Sequence, residues 1–134
     1  MQAEEIFKSA MALMDEMSGE VLDETSTAEY RIKAPYILTI LQSEIIGIEN
    51  RFKKVEDWIY PTKVETLEDY LEIDDIKAQT MLSYGLAAEL MIHEDTALAN
   101  FFQSKYEELR TMFLKPTATS KKTIKDVYDT TLSY

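Results

Sequence analysis

One imidazole is encoded in the 134 residues, and it stands directly before two carboxylates, His93-Glu94-Asp95, within the stretch LMIHEDTALANFF. A histidine beside acids is the raw material of acid–base catalysis and of metal binding. The spacing argues against both. Three consecutive residues project to different sides of a helix and do not converge on one ion, and the i, i+4 ligand pair of a zinc-protease helix is absent. As the base of a nucleophile, His93 has no glycine-framed serine beside it, and the chain has no cysteine. The same three residues fit a corner between two helices. His93 then falls at the end of one helix, where positive charge suits the carbonyl dipoles, while Glu94 and Asp95 open the next, where negative charge suits the amides. No catalytic, cofactor-binding or metal-ligating residue is assigned, no cofactor is expected, and the chain is not expected to be an enzyme.

The remaining polar residues lead to the same expectation. The carboxylate pairs Glu4-Glu5, Asp74-Asp75 and Glu107-Glu108 sit in helical or capping contexts, and nothing places a pair across a cleft. There is no glycine-rich phosphate loop and no calcium loop with a central glycine. Lys53-Lys54 and Lys121-Lys122 are too short to claim nucleic acid, and a net charge of -11 repels the phosphate backbone. Charge is blockwise: residues 1–29 carry eight acids against Lys8, and residues 65–95 nine against Lys77, while 30–64 and 96–134 each sum to +2. Such blocks let complementary faces of subunits or partners attract one another. The absence of cysteine fits a reducing compartment. The first twenty residues lack a basic, then continuously apolar, signal pattern, and no run approaches the roughly 18 apolar residues of a membrane span. A soluble cytoplasmic chain with no membrane partner is expected.

The elements that would position these residues are helical. Only three glycines and three prolines interrupt a chain rich in Leu, Ile, Met, Ala, Glu and Lys. Ile6, Ala10, Leu13, Met14 and Met17 predict a first helix over 3–17, stopped by Gly19. Ser26-x-x-Glu29 has the form of a capping box and predicts the start of a second helix. Its apolar positions run Tyr30, Ala34, Ile37, Leu41, Ile45, Ile48 and Phe52, with Pro35 demanding either a start near Ala34 or a kink. Residues 53–71 have no long period and are read as a connector, at most with a short strand near Lys63 to Leu67. Asp74 is placed to cap a third helix, with Ile73 as a staple, and MLSYGLAAELMI within it is apolar nearly all round. Asp95 or Thr96 caps a fourth, carrying Leu98, Phe101, Phe102, Leu109, Met112 and Phe113.

The expected fold class is all-α: a bundle of four main helices over 1–114, with an irregular connector, followed by a C-terminal arm over 115–134 that is partly extended or disordered. Met11, Met14, Met17, Met81, Met91 and Met112 mostly suit core packing, with an adaptable methionine-rich surface as the sharper alternative. Trp58, Ile59 and Tyr60 make the connector unusually apolar. Either it folds back on the bundle, or it presents an aromatic anchor to another protein.

Two stretches, STAEYRIKAPYILTILQSEI at 26–45 and LEDYLEIDDIKAQTMLSYGLAAELMIHEDTALANFFQSKYEEL at 67–109, resemble the head-tail connector (head-completion) proteins of tailed bacteriophages and prophages. The telling parts are Tyr84-Gly85-Leu86-Ala87-Ala88, Glu94-Asp95, Ala99 through Phe102, and Tyr106-Glu107-Glu108-Leu109; residues 46–66 and the tail depart from the pattern. The resemblance implies a mostly helical structural protein that assembles as a homo-oligomeric ring on the portal protein, beside other neck or tail-completion proteins. DNA would pass through its lumen without sequence-specific binding. It further implies location in the virion neck and, during assembly, in the cytoplasm of the bacterial host. Trp58, Ile59 and Tyr60, with Ile124, Tyr128 and Tyr134 of the arm, are the candidate assembly interface. The alternative reading is a standalone helical protein-binding module or prophage regulator without catalytic activity.

Overall fold

Ala3, Ile6, Phe7, Ala10 and Met11 recur at the three- and four-residue spacing of one helix face, and all five are fully buried on α1 (Ala3–Leu13). The computed structural model describes residues 1–18, 21–22 and 24–114. The first helix ends at Leu13, four residues short of the expected Met17. Asp15 rather than Gly19 turns the chain, with φ of 60° in the left-handed region that a short polar side chain tolerates. Gly19 itself lies outside the described residues. Met17–Ser18 (β1) then pairs antiparallel with Val21–Leu22 (β2), Met17 opposite Leu22 and Ser18 opposite Val21. Two residues a side make a small hairpin, and the architecture of the described residues is an all-α bundle of four helices.

The second helix, α2 (Glu24–Asn50), is already under way before Ser26, so the expected capping box is not its start. Ser26 Oγ donates instead to Glu16 Oε2 at 3.2 Å, and Glu29 pairs with Lys33 at 2.9 Å. A local signal was overridden by a helix long enough to begin upstream. Pro35 lies inside the run, and Thr39 Oγ1 donates to its carbonyl at 2.8 Å. Tyr30, Ala34, Leu38, Leu41, Ile45 and Ile46 face the core.

Residues 75–91 form one continuous helical run, α3: an α-helical turn Asp75–Lys77, a π-helical stretch Ala78–Leu82, and the α-helix Ser83–Met91. Asp74 caps it as expected, its Oδ1 accepting from the Ile76 amide at 2.9 Å, while Ile73 is buried beside it. The π stretch, with its i→i+5 spacing, was not legible in the sequence. Within it Ser9 of α1 receives a hydrogen bond from Gln79, and Ser83 Oγ donates to the Gln79 carbonyl at 2.6 Å. This run is the centre of the bundle, touching α1, α2 and α4 (Thr96–Phe113). Its apolar-all-round sequence is therefore explained, since burial on several sides leaves no face for polar residues.

On α4 the inward positions are Ala99, Phe102 and Tyr106, with Leu109 and Phe113 half-buried. Phe101 and Met112 point outward and are each 53% exposed, Met112 against the expectation that the methionines mostly pack in the core. Met11, Met14, Met81 and Met91 are core residues. Between α2 and α3 no strand forms at Lys63 to Leu67. Val64, Leu67 and Leu71 are buried, and the segment lies against the start of α1 through Ala3 N→Asp69 O and Glu4 N→Leu67 O, both 2.8 Å, and one Gln2–Tyr70 bridge. No helix among the described residues is long and apolar enough to cross a membrane. The arm over 115–134 lies outside the described residues.

Candidate functional site

At the corner between α3 and α4 the amides of Glu94 and Asp95 both donate to the Met91 carbonyl at 3.0 Å, closing the turn. Asp95 Oδ1 accepts from the Leu98 amide at 3.0 Å and so caps α4. His93 is exposed. Glu94 departs from the expected role at the helix start: its carboxylate accepts the hydroxyl of Tyr30, from α2. Burial foremost, then the hydrogen bond to Glu94 and the negative charge around it, raises the Tyr30 phenol above its ordinary range. Among the described residues no group of three or more His, Cys, Asp or Glu could hold a metal ion. Through Glu94 the helical corner is tied to α2, and through Asp95 it caps α4.

A second brace has the same chemistry. Tyr106 of α4 donates to Glu44 Oε1 at 2.9 Å, and Arg110 pairs with the same oxygen. Burial and then Glu44 raise the Tyr106 phenol, while Glu44 strengthens the protonated state of Arg110. The two tyrosine–glutamate bonds tie α2 to the α3–α4 corner and to the middle of α4, so α4 runs in the same direction as α2.

The connector carries Trp58, Ile59 and Tyr60 at the surface, exposed by 38%, 39% and 72%. Their backbone is nevertheless held. Asn50 Nδ2 donates to the Ile59 carbonyl at 2.8 Å and Asn50 Oδ1 accepts from its amide at 3.1 Å, while Trp58 Nε1 donates to the Lys53 carbonyl at 3.1 Å. Gln42, fully buried, bridges the Thr62 carbonyl at 2.9 Å and the Glu72 amide at 2.8 Å. Thr39 Oγ1 accepts from the Val64 amide at 2.9 Å. Three polar side chains on one helix thus strap the connector down and present its aromatic side chains outward. Ile124, Tyr128 and Tyr134 lie outside the described residues, so the structure brings together only half of the candidate interface.

Sequence reasoning missed a further surface. Ile32, Tyr36 and Ile40, at i, i+4 and i+8 on α2, are 70%, 66% and 67% exposed. They form a stripe opposite the buried face, and Ile32 and Tyr36 line an open groove of about 1020 Å3 whose other wall is Glu65 to Glu68 of the connector. Also lining it, Arg31 pairs with Glu4 at 2.9 and 3.2 Å and stacks over Phe7, 4.8 Å from the ring centre. The signal was present in the sequence: apolar residues at helical spacing but out of phase with the Tyr30–Ala34–Leu41–Ile45 face. Three-residue apolar runs hide such a second stripe, because every position finds some apolar neighbour three or four away.

No protein-family model, no curated protein and no solved structure matches the chain.

Proposed function

We propose that this chain is a structural, non-catalytic assembly protein of a phage neck: a head-tail connector that forms a ring on the portal and helps line the DNA conduit between capsid and tail. The observation that carries an assembly role is the pairing of rigid backbone with outward apolar side chains at Trp58, Ile59 and Tyr60. A pre-ordered aromatic loop loses little conformational entropy on docking, which is what anchors at protein interfaces require. The resemblance of residues 26–45 and 67–109 to head-tail connectors supplies the partner: the portal, other neck proteins and further copies of the chain. The arm residues Ile124, Tyr128 and Tyr134 would join the interface once the ring forms. In the lumen, an acidic surface would keep passing DNA from adhering. In this reading the protein works in the virion neck, and is in the cytoplasm of the host during assembly.

Cryo-microscopy of the portal ring mixed with this protein tests the proposal. Ring-shaped density added to the portal is expected; a bare portal at saturating protein rejects the connector role. The second reading, a standalone helical binding module or regulator, is favoured by the open groove along α2, with exposed Ile32 and Tyr36 on its wall. A portal left bare, together with capture of a defined peptide in that groove, would select it.

A further inference from the structure

The groove between α2 and the connector pairs an apolar wall with an acidic rim. Exposed Ile32 and Tyr36 form its apolar wall, and Glu65 and Glu68 its acidic rim. Neither rim carboxylate is in an ion pair with a described residue, and with Glu4 and Arg31 the lining sums to -2. Residues 115–125 carry Lys115, Lys121, Lys122 and Lys125 and no acid, and apolar Ile124, Val127 and Tyr128 follow or interleave with them. With Asp126 and Asp129 the whole segment 115–134 sums to +2, against -2 for the groove lining, and both carry apolar side chains. We propose that residues 115–134 fold back in cis onto this groove, laying Ile124 and Tyr128 against Ile32 and Tyr36 and the lysines against Glu65 and Glu68.

The geometry of the bundle makes the chain's own segment the favoured occupant. Arg110 pairs with Glu44, so α4 ends near Glu44, and Tyr36 is eight residues back along the same helix, about 12 Å at 1.5 Å per residue. The ten residues from Leu114 to Ile124 span up to roughly 33 Å when extended. A segment tethered this close has an effective concentration on the order of millimolar, well above that of a second copy at ordinary dilution. The inference does not depend on the connector reading. It concerns how the free chain covers its own apolar stripe, and a partner that takes either the stripe or the arm must first displace this contact.

A photo-reactive benzoylphenylalanine placed at position 36 of the full chain tests it. Tyr36 is largely exposed, so the replacement leaves the core untouched. On irradiation, cross-links to peptides within 115–134 of the same chain are expected, with a yield unchanged over a hundredfold dilution. Cross-links between chains, links confined to other segments, or no links overturn the proposal. So does equal linkage to 115–134 from a probe at position 60, on another exposed surface. Lys121→Glu with Lys122→Glu is expected to cut the yield severalfold, and adding Glu65→Lys with Glu68→Lys to restore it; an unaffected yield, or no recovery, likewise counts against it.

Discussion

Gly85 and Gly47 both sit in helix interiors, where alanine is ordinarily favoured over glycine by about 1 kcal/mol, yet substitution should act with opposite signs at the two. A Cβ on Gly85 would stand 3.0 Å from Tyr106 Cδ1 and 3.1 Å from Leu41 Cδ1, and the tyrosine ring has no freedom to withdraw because its hydroxyl is held by Glu44. Overpacking of roughly 1–3 kcal/mol outweighs the helical gain. Gly85→Ala is therefore expected to destabilise by about 1 kcal/mol in urea unfolding. A Cβ on Gly47 meets nothing within 4 Å, so Gly47→Ala is expected to stabilise by about 0.5–1 kcal/mol. Equal shifts of the same sign would overturn this account of the α2–α3–α4 contact. The small surface at Gly85 was legible in the sequence; the ring that fills it was not. The same limit applies at the corner. Asp95 announces itself as a cap because capping is local, whereas the partner of Glu94 is Tyr30, 64 residues away. No spacing rule reaches that far.

At the level of elements, the helices were legible from their apolar period and two of their starts from Asp74 and Asp95. The connector was not, because its order is imposed from outside by Thr39, Gln42 and Asn50, which in sequence are unremarkable polar positions on α2. Their partners are backbone groups, and these carry no signature of their own. Each strap has a reporter. Thr39→Val, Gln42→Leu and Asn50→Leu should each speed hydrogen exchange at one amide, of Val64, Glu72 and Ile59 respectively, by roughly tenfold, with Gln42→Leu also lowering stability by about 1–2 kcal/mol. Uniform acceleration across 55–72 in all three variants would mean that the connector opens as one unit. A further prediction concerns acid. Asp69 Oδ2 accepts from the amides of Thr66 and Glu65 at 3.0 and 2.7 Å, and these bonds draw its carboxyl below the ordinary value of 3.8. A group with a depressed folded-state value contributes stability that is complete above the unfolded value and lost as pH falls through the folded one. Exchange at the Glu65 and Thr66 amides, corrected for its intrinsic pH dependence, should therefore rise below about pH 4 in the native protein, and be fast already at neutral pH in Asp69→Asn, whose amide is the weaker acceptor.

For the whole molecule, the fold changes the meaning of the charge pattern. The acidic blocks 1–29 and 65–95 are far apart in sequence, but hydrogen bonds from Ala3 and Glu4 to Asp69 and Leu67 set the start of one beside the start of the other. Glu4, Glu65 and Glu68 thereby meet on one groove. Trp58 and Tyr60 lie on a different segment, in the block that sums to +2. If partners dock as proposed, the two surfaces should be separable by what each contributes to binding. Charge of one sign steers encounter and is screened by salt, whereas a desolvated aromatic anchor governs how slowly the complex dissociates. Raising salt from 0.1 to 0.5 M is thus expected to slow association with the portal ring severalfold while leaving dissociation nearly unchanged. Trp58→Ala with Tyr60→Ala is expected to do the reverse, weakening affinity by roughly 30-fold, on the order of 2 kcal/mol, through faster dissociation. Surface-plasmon measurements on immobilised portal read both rates. Full affinity in the double variant would remove the connector aromatics from the interface and leave the α2 stripe as the surface to test next, since Ile32, Tyr36 and Ile40 are each about two-thirds exposed on one helix.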